Sequence, residues 1–97
     1  MIIAWLDSKD VETFGQELAL FFINKFPANA QKEKSTAKRK EVITKMFYKI
    51  DQFKKNNKLN FYKKAKFGNV FQWTLKDAGY ADEFIGDLTK ELLLRLG

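Results

Sequence analysis

Tyr62, Lys66, Asn69, Trp73 and Lys76 follow one another at i, i+4, i+7, i+11 and i+14, the spacing that lines side chains along one stripe of an α-helix. The chemistry of such a stripe is that of a nucleic-acid surface: ammonium groups meet phosphates, an amide reads a base edge, and aromatic faces stack on bases. Lys63 and Lys64 stand at its head, close behind Lys54, Lys55 and Lys58. A second strip precedes it. Lys38, Lys45 and Lys49 share one side of a helical wheel, with Glu41, Tyr48 and Gln52 beside them. There the lysines offer unspecific anion binding, and Tyr48 offers a stacking or hydrogen-bonding surface. Both strips also have a plainer reading. A Lys-rich face keeps a protein soluble, and a Trp on the polar side of one helix packs when a neighbouring helix covers it. Trp73 is expected to pack in this way.

Other chemistry is poorly supplied. The chain has no Cys and no His, so it lacks a thiolate nucleophile, disulfides, the commonest metal ligand and the usual general base. Glu83, Asp87 and Glu91 make a carboxylate line at i, i+4 and i+8. Without His to complete a transition-metal site, this line reads as a solvated face, with Glu91–Arg95 and Asp87–Lys90 spaced for surface ion pairs. It could also meet the basic middle of a second copy. A helix-turn-helix built around Gly79 would send this acidic helix into a major groove, which is electrostatically wrong. Phosphate-cradling glycine loops and nucleophile elbows are absent. A non-catalytic protein with no cofactor and no metal is therefore expected.

Charge is the strongest signal. Of 18 Lys and Arg residues, 13 fall within residues 32–66, beside only Glu33, Glu41 and Asp51. The middle third carries a net +10, while each flank carries −2. Such a block attracts an acidic protein surface, phosphates or anionic lipid heads. The longest apolar stretches, residues 1–6 and 18–23, are far too short to cross a membrane, and the apolar start lacks a basic leader region. A cytoplasmic location is expected.

The elements that position these residues follow from apolar periodicity. Ninety-seven residues make one domain, and a single Pro with five Gly favours long helices. The first helix begins after Leu6 and Asp7, with Asp7 as cap, and carries Val11, Phe14, Leu18, Phe21, Phe22 and Phe26 until Pro27 stops it. Leu20 and Ile23 widen its apolar arc beyond a single stripe. Residues 27–34 read as a loop. Ser35 caps a second helix to about Asn56, with Val42, Ile43, Met46, Phe47, Ile50 and Phe53 as its stripe. Asn60 caps a third helix to about Ala78, whose apolar side is Phe67, Val70, Phe71, Thr74, Leu75 and Ala78. Gly68 within it marks either close helix packing or a break; one continuous helix is favoured. Gly79 ends it, and Asp82 opens a fourth helix with Phe84, Ile85, Leu88, Leu92 and Leu96 inward and Leu93 and Leu94 to the side.

The expected fold is all-α: a single small antiparallel bundle of about four helices over residues 1–97, with an N-terminal apolar arm (Ile2, Ile3, Trp5) docked on it. The expected function is a bacterial-type helical interaction module. It binds an acidic protein partner through its basic middle, or associates with itself through the surplus apolar residues Leu20, Ile23, Leu93 and Leu94. The alternative is nucleic-acid binding through the Lys and aromatic faces of the second and third helices.

Overall fold

The computed structural model describes residues 9–28 and 36–97. They form four helices, α1 (Lys9–Lys25), α2 (Thr36–Asn56), α3 (Phe61–Asp77) and α4 (Asp82–Leu96). The expected apolar arm, the Asp7 and Ser35 caps and most of the 27–34 loop lie outside the described residues. Among the described residues there is no strand, and no helix is long and apolar enough to cross a membrane.

The ends of the helices are set by local chemistry. The Asn60 side chain accepts a hydrogen bond from the backbone N–H of Lys63 at 2.8 Å, capping α3. Asn56 and Asn57 donate side-chain N–H groups to the carbonyls of Gln52 and Phe53, using up acceptors at the end of α2. Gly79 takes φ +96° after α3, a conformation that L side chains rarely adopt. α3 runs unbroken through Gly68 and Asn69, as expected. Its Gly68 faces Leu93 and Thr89 of α4, where an added Cβ would lie 3.5 Å from the Leu93 side chain, so packing is the role this glycine plays.

Each helix reverses the direction of the one before it. α1 lies antiparallel to α2, with Phe14 stacked on Phe53 at 4.2 Å between ring centroids and Lys49 over Phe21. α3 lies antiparallel to α4, with Lys64 reaching Gly97 and Lys76 facing Asp82. The other two neighbouring pairs run parallel. α1 meets α3 in register from Asp10–Lys63 through Gly15–Phe67 to Phe22–Tyr80, and α2 meets α4 from Arg39–Phe84 to Asp51–Arg95. Around the bundle the order is therefore α1, α2, α4, α3, and the diagonal pairs touch only weakly.

The α1–α3 contact is the closest. Gly15 and Ala19 are both buried in it. A Cβ on Gly15 would sit 3.1 Å from the Phe67 carbonyl oxygen, a tight contact, so glycine eases the close approach of these backbones. The shared core holds Val11, Leu18, Phe22, Val42, Met46, Ile50, Phe67, Phe71, Leu75, Ile85, Leu88 and Leu92. Burial of each such side chain is worth about 1.5–3 kcal/mol. Ala78, expected on the apolar side of α3, is exposed because it is the cap residue, past the last turn that α1 covers.

Tyr80, in the turn between α3 and α4, completes the core. It packs on Phe22 and Phe84, and its hydroxyl donates to the Phe26 carbonyl at 2.5 Å, tying the end of α1 to the α3–α4 turn. Burial pushes the Tyr80 phenol up to about 12.

Two outcomes follow from these contacts. In urea titrations, Gly15→Ala should lose about 1–3 kcal/mol through overpacking, whereas Gly86→Ala, on an exposed helix position with no atom within 4 Å, should gain about 0.5–1 kcal/mol. The second outcome concerns pH. Folding holds Tyr80 protonated while the unfolded chain releases that proton near pH 10, so its contribution is complete below about pH 10 and fades toward pH 12. Stability of wild type should fall more steeply than that of Tyr80→Phe across that window, by up to about 1.4 kcal/mol per pH unit.

Candidate functional site

The bundle distributes the polar residues over different sides, because α1–α2 and α3–α4 are opposite edges of the ring of helices. On the α1–α2 side, Phe21, Thr44, Lys45, Tyr48, Lys49 and Gln52 line a shallow, mainly apolar groove of about 460 Å³. The half-buried ring of Phe21 forms its floor. Lys49 Nζ stands 4.7 Å and Lys25 Nζ 5.9 Å from the centre of that ring, positions that favour a cation over an aromatic face. Tyr48 is 65% exposed, opposite the buried stripe of α2. Lys38 and Lys45 flank Glu41 at 3.9 and 3.8 Å. The only other acid of α2, Asp51, is turned toward α4.

On the α3–α4 side, Tyr62, Ala65, Lys66, Gly68, Asn69, Gln72, Thr89 and Leu93 line a second groove, of about 410 Å³. Trp73 and Lys76 continue it past Gln72 toward Asp82 and Ile85. The stripe of Tyr62, Lys66, Asn69, Trp73 and Lys76 thus exists as one face, as its spacing requires. The expected packing of Trp73 does not occur. It is 57% exposed, because α4 passes along the Gly68–Leu93 side of α3 and leaves this side uncovered.

The charge on that face is balanced. Lys66 Nζ lies 4.0 Å from Glu12, and Lys76 Nζ lies 3.8 Å from Asp82 and 5.5 Å from the Trp73 ring. Lys63 does not join either face. Its side chain is 14% exposed and pairs with Asp10 at 3.1 Å, because it falls on the side of α3 that packs against α1. Lys64 is spent in a different way: it donates to the Gly97 carbonyl at 2.8 Å, and Lys54 donates to the Arg95 carbonyl at 3.0 Å. Two cations therefore sit at the negative end of the α4 dipole.

The interface residues are divided as well. Leu20 and Leu94 are 51% and 74% exposed, but they project from α1 and α4, the diagonal pair, and form no common patch. Ile23 and Leu93 are half-buried against the core. The expected Glu91–Arg95 pair is replaced by a two-pronged contact between helices. Arg95 Nε and a terminal guanidinium nitrogen donate to Asp51 at 3.1 and 2.7 Å, and this hydrogen bond holds the Asp51 carboxyl below its ordinary range.

Phe21 and Lys25 were not legible as groove residues. Phe21 reads as core in the sequence; its place at the edge of an apolar arc too wide for one neighbour is the trace of its exposure. Phe61, 87% exposed in the first turn of α3, is a further open aromatic, on the polar side of that helix's wheel. Among the described residues no group of three or more acidic side chains is close enough to hold a metal ion. No known family model, curated protein or solved structure matches the chain.

The exposed rim residues of the groove should carry little of the folding energy. Tyr48→Ala and Lys49→Ala should each stay within about 0.5 kcal/mol of wild type in urea denaturation, whereas Phe22→Ala should cost about 3–5 kcal/mol.

Proposed function

We propose that the protein is a non-catalytic helical interaction module whose α1–α2 face docks an acidic, amphipathic segment of a protein partner. One observation carries the reading: an apolar groove with an aromatic floor is rimmed by Lys25, Lys45 and Lys49. An occupant with apolar side chains for the floor and carboxylates for the rim satisfies both halves of that surface, in the manner of a helix laid in a groove. Charge on the rim speeds encounter and selects the partner; the apolar floor supplies affinity.

A phosphate backbone fits less well. It needs a continuous track of cations, and here Glu41 interrupts the α2 strip while the α3 cations face the opposite side beside Glu12 and Asp82.

Isotope-labelled protein titrated with an acidic helical peptide (Glu and Leu at i, i+3 and i+4 spacing) should show NMR shifts centred on Phe21, Thr44, Tyr48 and Gln52. Lys45→Glu/Lys49→Glu should weaken binding at least about tenfold, since two rim charges change sign. Tight binding of a single- or double-stranded oligonucleotide with a steep inverse dependence on salt, and no response to the peptide, would overturn the reading in favour of nucleic acid.

A further inference from the structure

Resting on that reading, we infer that the acidic segment which fills the groove is α4 of a second copy of this chain. The outward side of α4 carries Glu83, Asp87, Glu91 and Leu94, all exposed, with Lys90 among them. Leu94 is 74% exposed, the most exposed leucine among the described residues, and it stands next to acids rather than in an apolar patch of its own. This is the pattern the groove calls for: one apolar knob on an acidic helix.

The spacing also matches. Asp87 and Glu91 are separated by one helical turn, as are Lys45 and Lys49, so both pairs span about 5–6 Å and can face each other across two packed helices. With the two helices parallel, Asp87 faces Lys45 and Glu91 faces Lys49, and Leu94, about one turn beyond Glu91, falls level with Gln52 at the end of the groove. α4 is the most acidic helix of the molecule and α2 the most basic, so the long-range field favours this pairing over groove-to-groove contact, in which Lys45 and Lys49 would oppose their own copies.

The two surfaces lie on different sides of one molecule. The groove opens on the α1–α2 edge, whereas Asp87 and Glu91 lie on the α2–α4 edge beside Arg39. A protomer therefore cannot satisfy itself, and each copy offers a groove and a ridge to its neighbours, as a head-to-tail chain or as a reciprocal pair. With one short helix as the ridge, about 22 Å long, the contact falls below the area of a permanent dimer, and assembly is reversible and depends on concentration.

Two variants separate the halves of this contact. Lys45→Glu/Lys49→Glu removes the groove, and Asp87→Lys/Leu94→Ser removes the ridge. Both alter only exposed side chains, so circular dichroism should show wild-type helix content. In sedimentation velocity the wild type should grow in mean mass with concentration. Each variant alone should remain monomeric. Mixed in equal amounts they should form a 1:1 complex and nothing larger, because the mixture holds one intact groove and one intact ridge. A wild type that stays monomeric at millimolar concentration, a dimer that survives in both variants, or a mixture that fails to associate would each overturn the inference. Binding of the acidic helical peptide to a strictly monomeric wild type would remove self-association while leaving the groove's function standing; loss of peptide binding as well would remove both.

Discussion

The architecture depends on how closely α1 can approach α3. At Gly15 an added Cβ would lie 3.1 Å from the Phe67 carbonyl oxygen, tighter than side chains ordinarily pack, and Ala19 keeps the next turn small. That approach lets two parallel helices share Val11, Leu18, Phe22, Phe67 and Phe71 in one layer, sealed at one end by Tyr80 and at the other by the Lys63–Asp10 pair. α2 runs back from the end of α1 to the start of α3, and it packs against α1 and α4 but only weakly against α3. The ring order α1, α2, α4, α3 follows from this, and with it the identity of every outward face.

The same order explains why the basic middle of the chain does not make one electropositive surface. α2 and α3 hold most of the cations, yet they stand on a diagonal. Where α3 meets its neighbours, lysines are consumed: Lys63 by Asp10, Lys66 by Glu12, Lys64 by the end of α4. Where α2 faces outward, Glu41 meets Lys38 and Lys45, and Lys45 and Lys49 stand beside an apolar groove. The molecule is thus polarised between a basic helix and an acidic one. The surface best equipped to bind is the place where charge and exposed apolar area coincide.

Phe21 shows how a core-like residue becomes part of such a surface. It lies on the α2 side of α1, at the rim of the bundle, and no third helix covers its outer edge. Lys25 and Lys49 shield the ring with their cations instead, an arrangement that tolerates water yet can be traded for a partner's apolar side chain. Trp73 is exposed for the corresponding reason on the far side: α4 contacts α3 through Gly68 and leaves the indole outside.

Read in order, the residues alone determined four helices, most of their ends and nearly all of the core, because those depend on local signals: apolar spacing, the Asn60 cap, the turn at Gly79. Periodicity also placed Tyr48 opposite the α2 core and gathered Tyr62, Asn69 and Trp73 on one stripe, since a wheel is a property of one helix. It could not say which helix lies beside which. That choice rests on contacts between residues far apart in sequence, above all Gly15 against Phe67 and Arg95 against Asp51. Those contacts alone decided that Lys63 is buried in a pair, that Trp73 is open, and that the cations divide between opposite sides. A side chain's direction is set by its own helix; whether it meets solvent, an acid or another helix is set by its neighbours.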